Sequence, residues 1–234
     1  MSRLVLIAAL AVTVSCGGST SPSRDAAGGT DGLGSDGGPG ARGSGDDVRC
    51  TGTLTGTFDN VTVPVGATCT LVNSTVEGNV KALEDARLFM SDNHVRGNVE
   101  GDKARIVQVS GGTVDGNIQI KDGSSPSELG AAVTGGTVVT GGDIQIEKMS
   151  TGRVLVEDAR VLKGNIQITE NVAGTAIEIL RNDVAQNLQV FKNRGGGSKS
   201  VTGNAVGQDL QCKENLAPFA GGPNTAGETE GQCF

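Results

Sequence analysis

The chain has 234 residues with 38 Gly, five Phe, no Trp and no Tyr, and its 26 Asp plus Glu against 19 Lys plus Arg leave a formal net charge of −7. That composition excludes an aromatic-rich sandwich core, and the acidic balance repels phosphate backbones, arguing against nucleic acid as a partner. No stretch holds the roughly 18 apolar residues of a membrane-spanning helix, so bilayer contact would have to come through the N-terminus.

Arg3, the apolar run Leu4 to Val14 and then Ser15-Cys16-Gly17 form the short cationic start, apolar middle and small-residue cleavage point of an export signal. Val12-Thr13-Val14-Ser15-Cys16 resembles a bacterial lipobox, although Thr13 stands where Leu is commonest. The resemblance implies a signal peptide over residues 1–15, cleavage before Cys16, a lipid on that cysteine, and localisation at the membrane of the cell envelope. The cysteine count agrees. Five is odd, an exported protein tends not to leave a free thiol, and assigning Cys16 to the lipid leaves four.

Residues 16–49 are dominated by Gly, Ser and Asp, as in Ser35-Asp36-Gly37-Gly38-Pro39-Gly40. Such a segment buries too little apolar surface to offset its ordering entropy and is expected to be a disordered tether. The folded domain is expected over residues 50–234.

Within that domain an Asn or Asp recurs at Asn60, Asn79, Asn98, Asn117, Asp143, Asn165, Asn187 and Asp209, at intervals of 19, 19, 19, 26, 22, 22 and 22. Each is followed by an apolar residue, and in the last five copies by Gln two positions on, at Gln119, Gln145, Gln167, Gln189 and Gln211. Apolar, polar, apolar is a strand with one buried face. A strand so short is unstable alone, and repetition near 20 residues implies stacked coils. Second β-rich stretches lie at Cys69 to Val72, Leu88 to Met90, Ile106 to Val109, Val154 to Val156 and Ile177 to Leu180. Third apolar points fall at Val76, Val95, Val114, Leu162, Val184 and Val206. Three segments per turn predict a single-stranded, right-handed parallel β-helix, all-β, of about eight coils of 19–26 residues and triangular section.

Asn at a fixed position suits a left-handed corner and can bond to its equivalent in the next coil. Gly before it, as at Gly78, Gly97, Gly116, Gly142 and Gly164, allows a tight turn. A second series, Asn171, Asn193 and Asn215, would line another corner. Cys50 and Cys69 lie 19 residues apart, and Cys212 and Cys233 lie 21 apart. One coil of separation places each couple within disulfide reach, predicting a staple at each end, with Leu216-Ala217-Pro218-Phe219 as a lid over the last coil.

Catalytic and metal residues are not expected. Scattered carboxylates lack the facing pair and aromatic platform of sugar hydrolysis, and His94, the only histidine, supports neither a histidine relay nor a multi-histidine zinc site. Clustered carboxylates for calcium and a propagating Thr ladder for ice are absent too. No cofactor is expected. The candidate binding face is the outward column Gln119, Gln145, Gln167, Gln189 and Gln211 with the rim that follows it, including Lys148 and Lys192. The alternative is a solvated edge. An envelope polysaccharide or protein is the partner to expect there, beside the membrane held by the lipid.

The strings Asp209-Leu210-Gln211-Cys212-Lys213-Glu214-Asn215 and Glu230-Gly231-Gln232-Cys233 resemble the C-terminal pattern of a group of uncharacterised secreted bacterial proteins with Gly-Asn-Val repeats, over residues 50–233. The resemblance implies an exported β-helix and no activity. A looser likeness is to bactofilins, cytoskeletal β-helices that polymerise end to end but lack export signals and disulfide caps. The functional expectation is a lipid-anchored, non-enzymatic structural or binding module of the envelope. The rivals are a carbohydrate-active enzyme and a self-assembling surface polymer.

Overall fold

Strands of three to five residues hold together only through their neighbours, so the repeat must stack to fold. The computed structural model describes residues 42–44, 47–125, 129–172 and 174–233. They form an all-β, parallel solenoid of about eight coils with disulfides near both ends.

Each full coil contributes to three faces. The Gln face is a ten-stranded parallel sheet that runs from Val48–Arg49 through strands such as Ile118–Lys121, Ile144–Glu147 and Ile166–Thr169 to Glu228–Gly231. A long-strand face includes Thr68–Val72, Arg87–Ser91, Ile106–Ser110, Arg153–Glu157 and Ala176–Leu180. A short-strand face has two-residue strands such as His94–Val95 and Asp183–Val184.

The expected register holds. Val61, Val80, Val99, Ile118, Ile144, Ile166, Leu188 and Leu210 stand one above another, about 4.8 Å apart. None exceeds 1% exposure. Burying a side chain of this size contributes about 1.5–3 kcal/mol, and a slip of one residue would turn the column to water. Most of the extra length of the later coils leaves at the corner after the Gln face, between Lys121 and Ala131, Glu147 and Val154, and Thr169 and Ile177.

Several expectations need correction. Leu162 is exposed, and Val161 takes the inward place on the short-strand face, paired with Val139 and Val184. An extra residue at the next corner shifts the count from Asp143 and Asn165 by one. The left-handed backbone is not at the Gly-Asn corner. It falls at the two other corners, for example at Asp122, Lys148, Glu170 and Lys192 after the Gln face and at Asp92, Asp158 and Arg181 after the long-strand face. The glycines ahead of the Asn series are needed for close approach instead: a Cβ on Gly97 would lie 2.5 Å from the Gly78 carbonyl oxygen of the coil before.

Both disulfides are the expected ones, with Cα separations of 5.4 Å and 5.6 Å, but neither couple is stacked in register. Cys50 follows the Gln-face strand Val48–Arg49, which pairs with Val61 and Thr62, whereas Cys69 lies on the long-strand face opposite Leu88. Cys212 is opposite Gly231, two residues before Cys233. The terminal coils deviate from the period, so the couples meet by a lateral offset. Paired backbone also begins ahead of Cys50, since Arg42–Ser44 pairs with Thr55 to Thr57. In the lid, Phe219 is 2% exposed while Leu216 is 65% exposed.

Among the described residues, one core position is occupied by a lysine. Lys199 pairs with Ile177 on the long-strand face and is 7% exposed. Its ammonium donates to the carbonyl of Gly195 at 2.6 Å, so the Gly-rich corner supplies the acceptor that a buried cation requires.

Candidate functional site

The Gln column forms because strand pairing puts Gln119, Gln145, Gln167, Gln189 and Gln211 in one register, all half-buried and outward. The first four each donate a side-chain N–H to the next side-chain carbonyl, at 3.1, 3.1, 3.2 and 3.2 Å in turn. An amide has two N–H groups and a carbonyl with two lone pairs. The inner members therefore keep one donor and one acceptor direction each, on side chains whose rotamers are already held. In the earlier coils the column continues as Arg49, Thr62, Lys81 and Glu100, and it ends at Glu230.

Two residues back along each strand runs the Asn column, also outward and about 7 Å away at strand spacing. Asn60 accepts from the backbone N–H of Asn79 at 2.8 Å, Asn79 from Asn98 at 2.9 Å and Asn98 from Asn117 at 2.8 Å. The pattern continues through Asp143, Asn165 and Asn187. Between the columns lies a trough of about 300 Å³ lined by Asn98, Glu100, Asn117, Gln119, Asp143 and Gln145. A second trough of about 370 Å³, which includes Arg49, Asn60, Thr62, Asn79 and Lys81, shares Glu100 with it.

Lys148 and Lys192 do not join this trough. They are exposed on the corner after the Gln face, in a column of left-handed residues whose charges alternate: Asp85, Lys103, Asp122, Lys148, Glu170, Lys192 and Glu214. Opposite charges on successive coils offset one another, so this rim carries little net field.

The series Asn171, Asn193 and Asn215 lines the inside of that same corner and is buried. A parallel buried series, Asn182 and Asn204, lines the corner after the long-strand face. Its 22-residue spacing carries the signal of the other series, yet the reading from sequence omits it. Both interiors are structural, because their donors and acceptors are occupied within the protein.

On the short-strand face His94 Nε2 lies 3.1 Å from Asp115, and the Thr140 hydroxyl donates to the same carboxylate at 2.9 Å. The Thr140 hydrogen bond first, and His94 second, hold Asp115 below the usual carboxylate range. The hydroxyl bonds the carboxylate and not the imidazole, which is not the order of a nucleophilic relay. Among the described residues, no group of three or more His, Cys, Asp or Glu is placed to hold a metal ion. Cys16 lies outside the described residues.

No protein-family model, curated protein or solved structure matches this chain.

Proposed function

We propose that this chain is an exported, lipid-anchored and non-enzymatic module of the cell envelope, with the Gln face as its binding surface. The observation that carries the reading is the in-register column of five glutamines, uncharged and prearranged, beside a second amide-rich column, with a trough between the two at Gln119 and Gln145. Holding polar groups in place before contact lowers the ordering cost of binding. Export is supported by the Arg3 to Cys16 pattern and by two disulfides, which persist in oxidising compartments. Anchoring at Cys16 would leave the solenoid on a Gly-rich tether.

The test is retention of envelope material by the full-length protein in detergent, compared with a Gln145→Lys, Gln167→Lys, Gln189→Lys variant. Material held by the wild type and released by a variant of similar melting temperature supports the Gln face. Equal retention by the variant refutes it. A second reading, self-assembly, is favoured by the exposed final strand Glu228–Gly231, whose outer edge has no pairing partner among the described residues. A concentration-dependent size on gel filtration would identify it.

A further inference from the structure

We propose that the trough between the Asn and Gln columns holds an uncharged, extended polysaccharide lying parallel to the solenoid axis. The proposal rests on the Gln face being the binding surface and names its ligand.

Four observations lead to this chemistry. The trough walls are side-chain amides and carboxylates on both sides, at Asn98, Asn117 and Asp143 facing Glu100, Gln119 and Gln145. Planar groups of this kind make paired hydrogen bonds to neighbouring hydroxyls. The rungs recur at about 4.8 Å, comparable to the length of one pyranose ring, so over Glu100, Gln119 and Gln145 an axial chain meets an amide or a carboxylate at each sugar.

The depression is long as well. The two troughs share Glu100 and together run from the strand holding Arg49 to the strand holding Gln145, five coil steps or roughly 24 Å. Finally, the charges over the Gln-bearing half select against anions. Glu100 and Asp143 line its walls and Asp209, Glu228 and Glu230 follow along the same columns, whereas Arg49 and Lys81 lie toward the other end beside Asp47. With the chain net −7, a polyanionic glycan is repelled from the half that holds Gln119 and Gln145. A protein ligand would be expected to anchor in an apolar pocket, and this trough offers none.

The experiment is co-sedimentation of the full-length protein in detergent with insoluble uncharged glucan, insoluble uncharged amino-sugar polymer and a polyuronate gel. The wild type is expected to pellet with at least one uncharged polymer and not with the polyuronate. Gln119→Lys with Gln145→Lys, which fills the trough, should weaken retention about tenfold or more, a change of the size that losing one or two hydrogen bonds gives. Ala205→Lys, exposed on the short-strand face, should retain full binding.

Should the double variant misfold, the wild type alone decides the matter. Soluble oligosaccharide of the retained sugar should shift the side-chain amide resonances of Gln119 and Gln145 and leave those of Asn182 and Asn204 in place. No retention on any uncharged polymer, preference for the polyuronate, or shifts away from the Gln face would each overturn the proposal. If Gln-dependent capture of envelope material persists while the uncharged polymers fail, the ligand assignment falls and the binding face stands; if both fail, both fall.

Discussion

The side-chain carbonyl of Asn193 accepts both the backbone N–H and the side-chain amide of Asn171, 22 residues earlier, at 3.1 and 2.9 Å. Its own amide donates to the Ile168 carbonyl at 2.7 Å and to Asn215 at 3.1 Å. A buried asparagine thus satisfies a corner where three successive coils would otherwise leave backbone groups unpaired. The outer column works in the opposite sense: there the N–H of the later coil donates to the earlier side chain, as from Asn187 to Asn165.

The two asparagine positions should therefore respond differently to truncation. Asn193→Ala orphans groups that water does not reach, each costing about 1–3 kcal/mol, so a total loss above about 3 kcal/mol is expected. Asn165→Ala, half-buried, lets water take over its partners and should cost about 1 kcal/mol. Denaturant titration of both variants checks the order, and equal losses would contradict it.

The inward and outward positions of the Gln face should separate as clearly. Ile166→Ala leaves a cavity in a narrow core and should cost about 2–5 kcal/mol. Gln167 makes two side-chain hydrogen bonds at the surface, worth about 0.5–1.5 kcal/mol each, so Gln167→Lys should lower the melting temperature by far less. Calorimetry of the pair measures the difference.

At the C-terminal end the disulfide holds a ladder terminus. Gln232, next to Cys233, accepts the Asn215 N–H at 2.8 Å and donates to the Asn215 carbonyl at 3.2 Å. Replacing Cys212 and Cys233 by Ser removes a cross-link over 21 residues, worth about 3 kcal/mol in the chain-entropy account. Hydrogen exchange should quicken first at Asn215, while Asn171 keeps its protection. Uniform loss along the Asn series would show that Gln232 is no terminus.

Acid should act on Asp115. Its pKa is depressed in the folded state, chiefly by the Thr140 hydroxyl, so the associated stability is present above the unfolded-state pKa. It is lost as pH falls through the lower, folded value. Thr140→Val should raise the Asp115 midpoint in a carboxyl NMR titration, with a small effect on stability because the pair is solvent-accessible.

Lipidation at Cys16 is checked by intact mass. The membrane fraction should yield a chain beginning at an acylated Cys16, and a water-soluble product starting elsewhere would contradict the lipobox.

Sequence by itself determined the period, the coil count and the inward column from Val61 to Leu210, because a two-residue alternation repeated at 19 or 22 residues has one register that buries that column. The one-coil separations also gave the pairing of the four cysteines, although the couples meet by a lateral offset and not in register. It also determined that the glutamines form a column. Tertiary structure alone decided what local spacing does not encode. Leu162 yields to Val161 through one extra corner residue, left-handed backbone falls at Lys148 and Lys192 instead of at the Gly-Asn corner, and Lys199 stands where a core residue is expected because Gly195 curls back to meet it. Whether an asparagine is a buried brace, as at Asn193, or an exposed rung, as at Asn117, depends on which side of the wall a corner turns, and only contacts between coils settle that side.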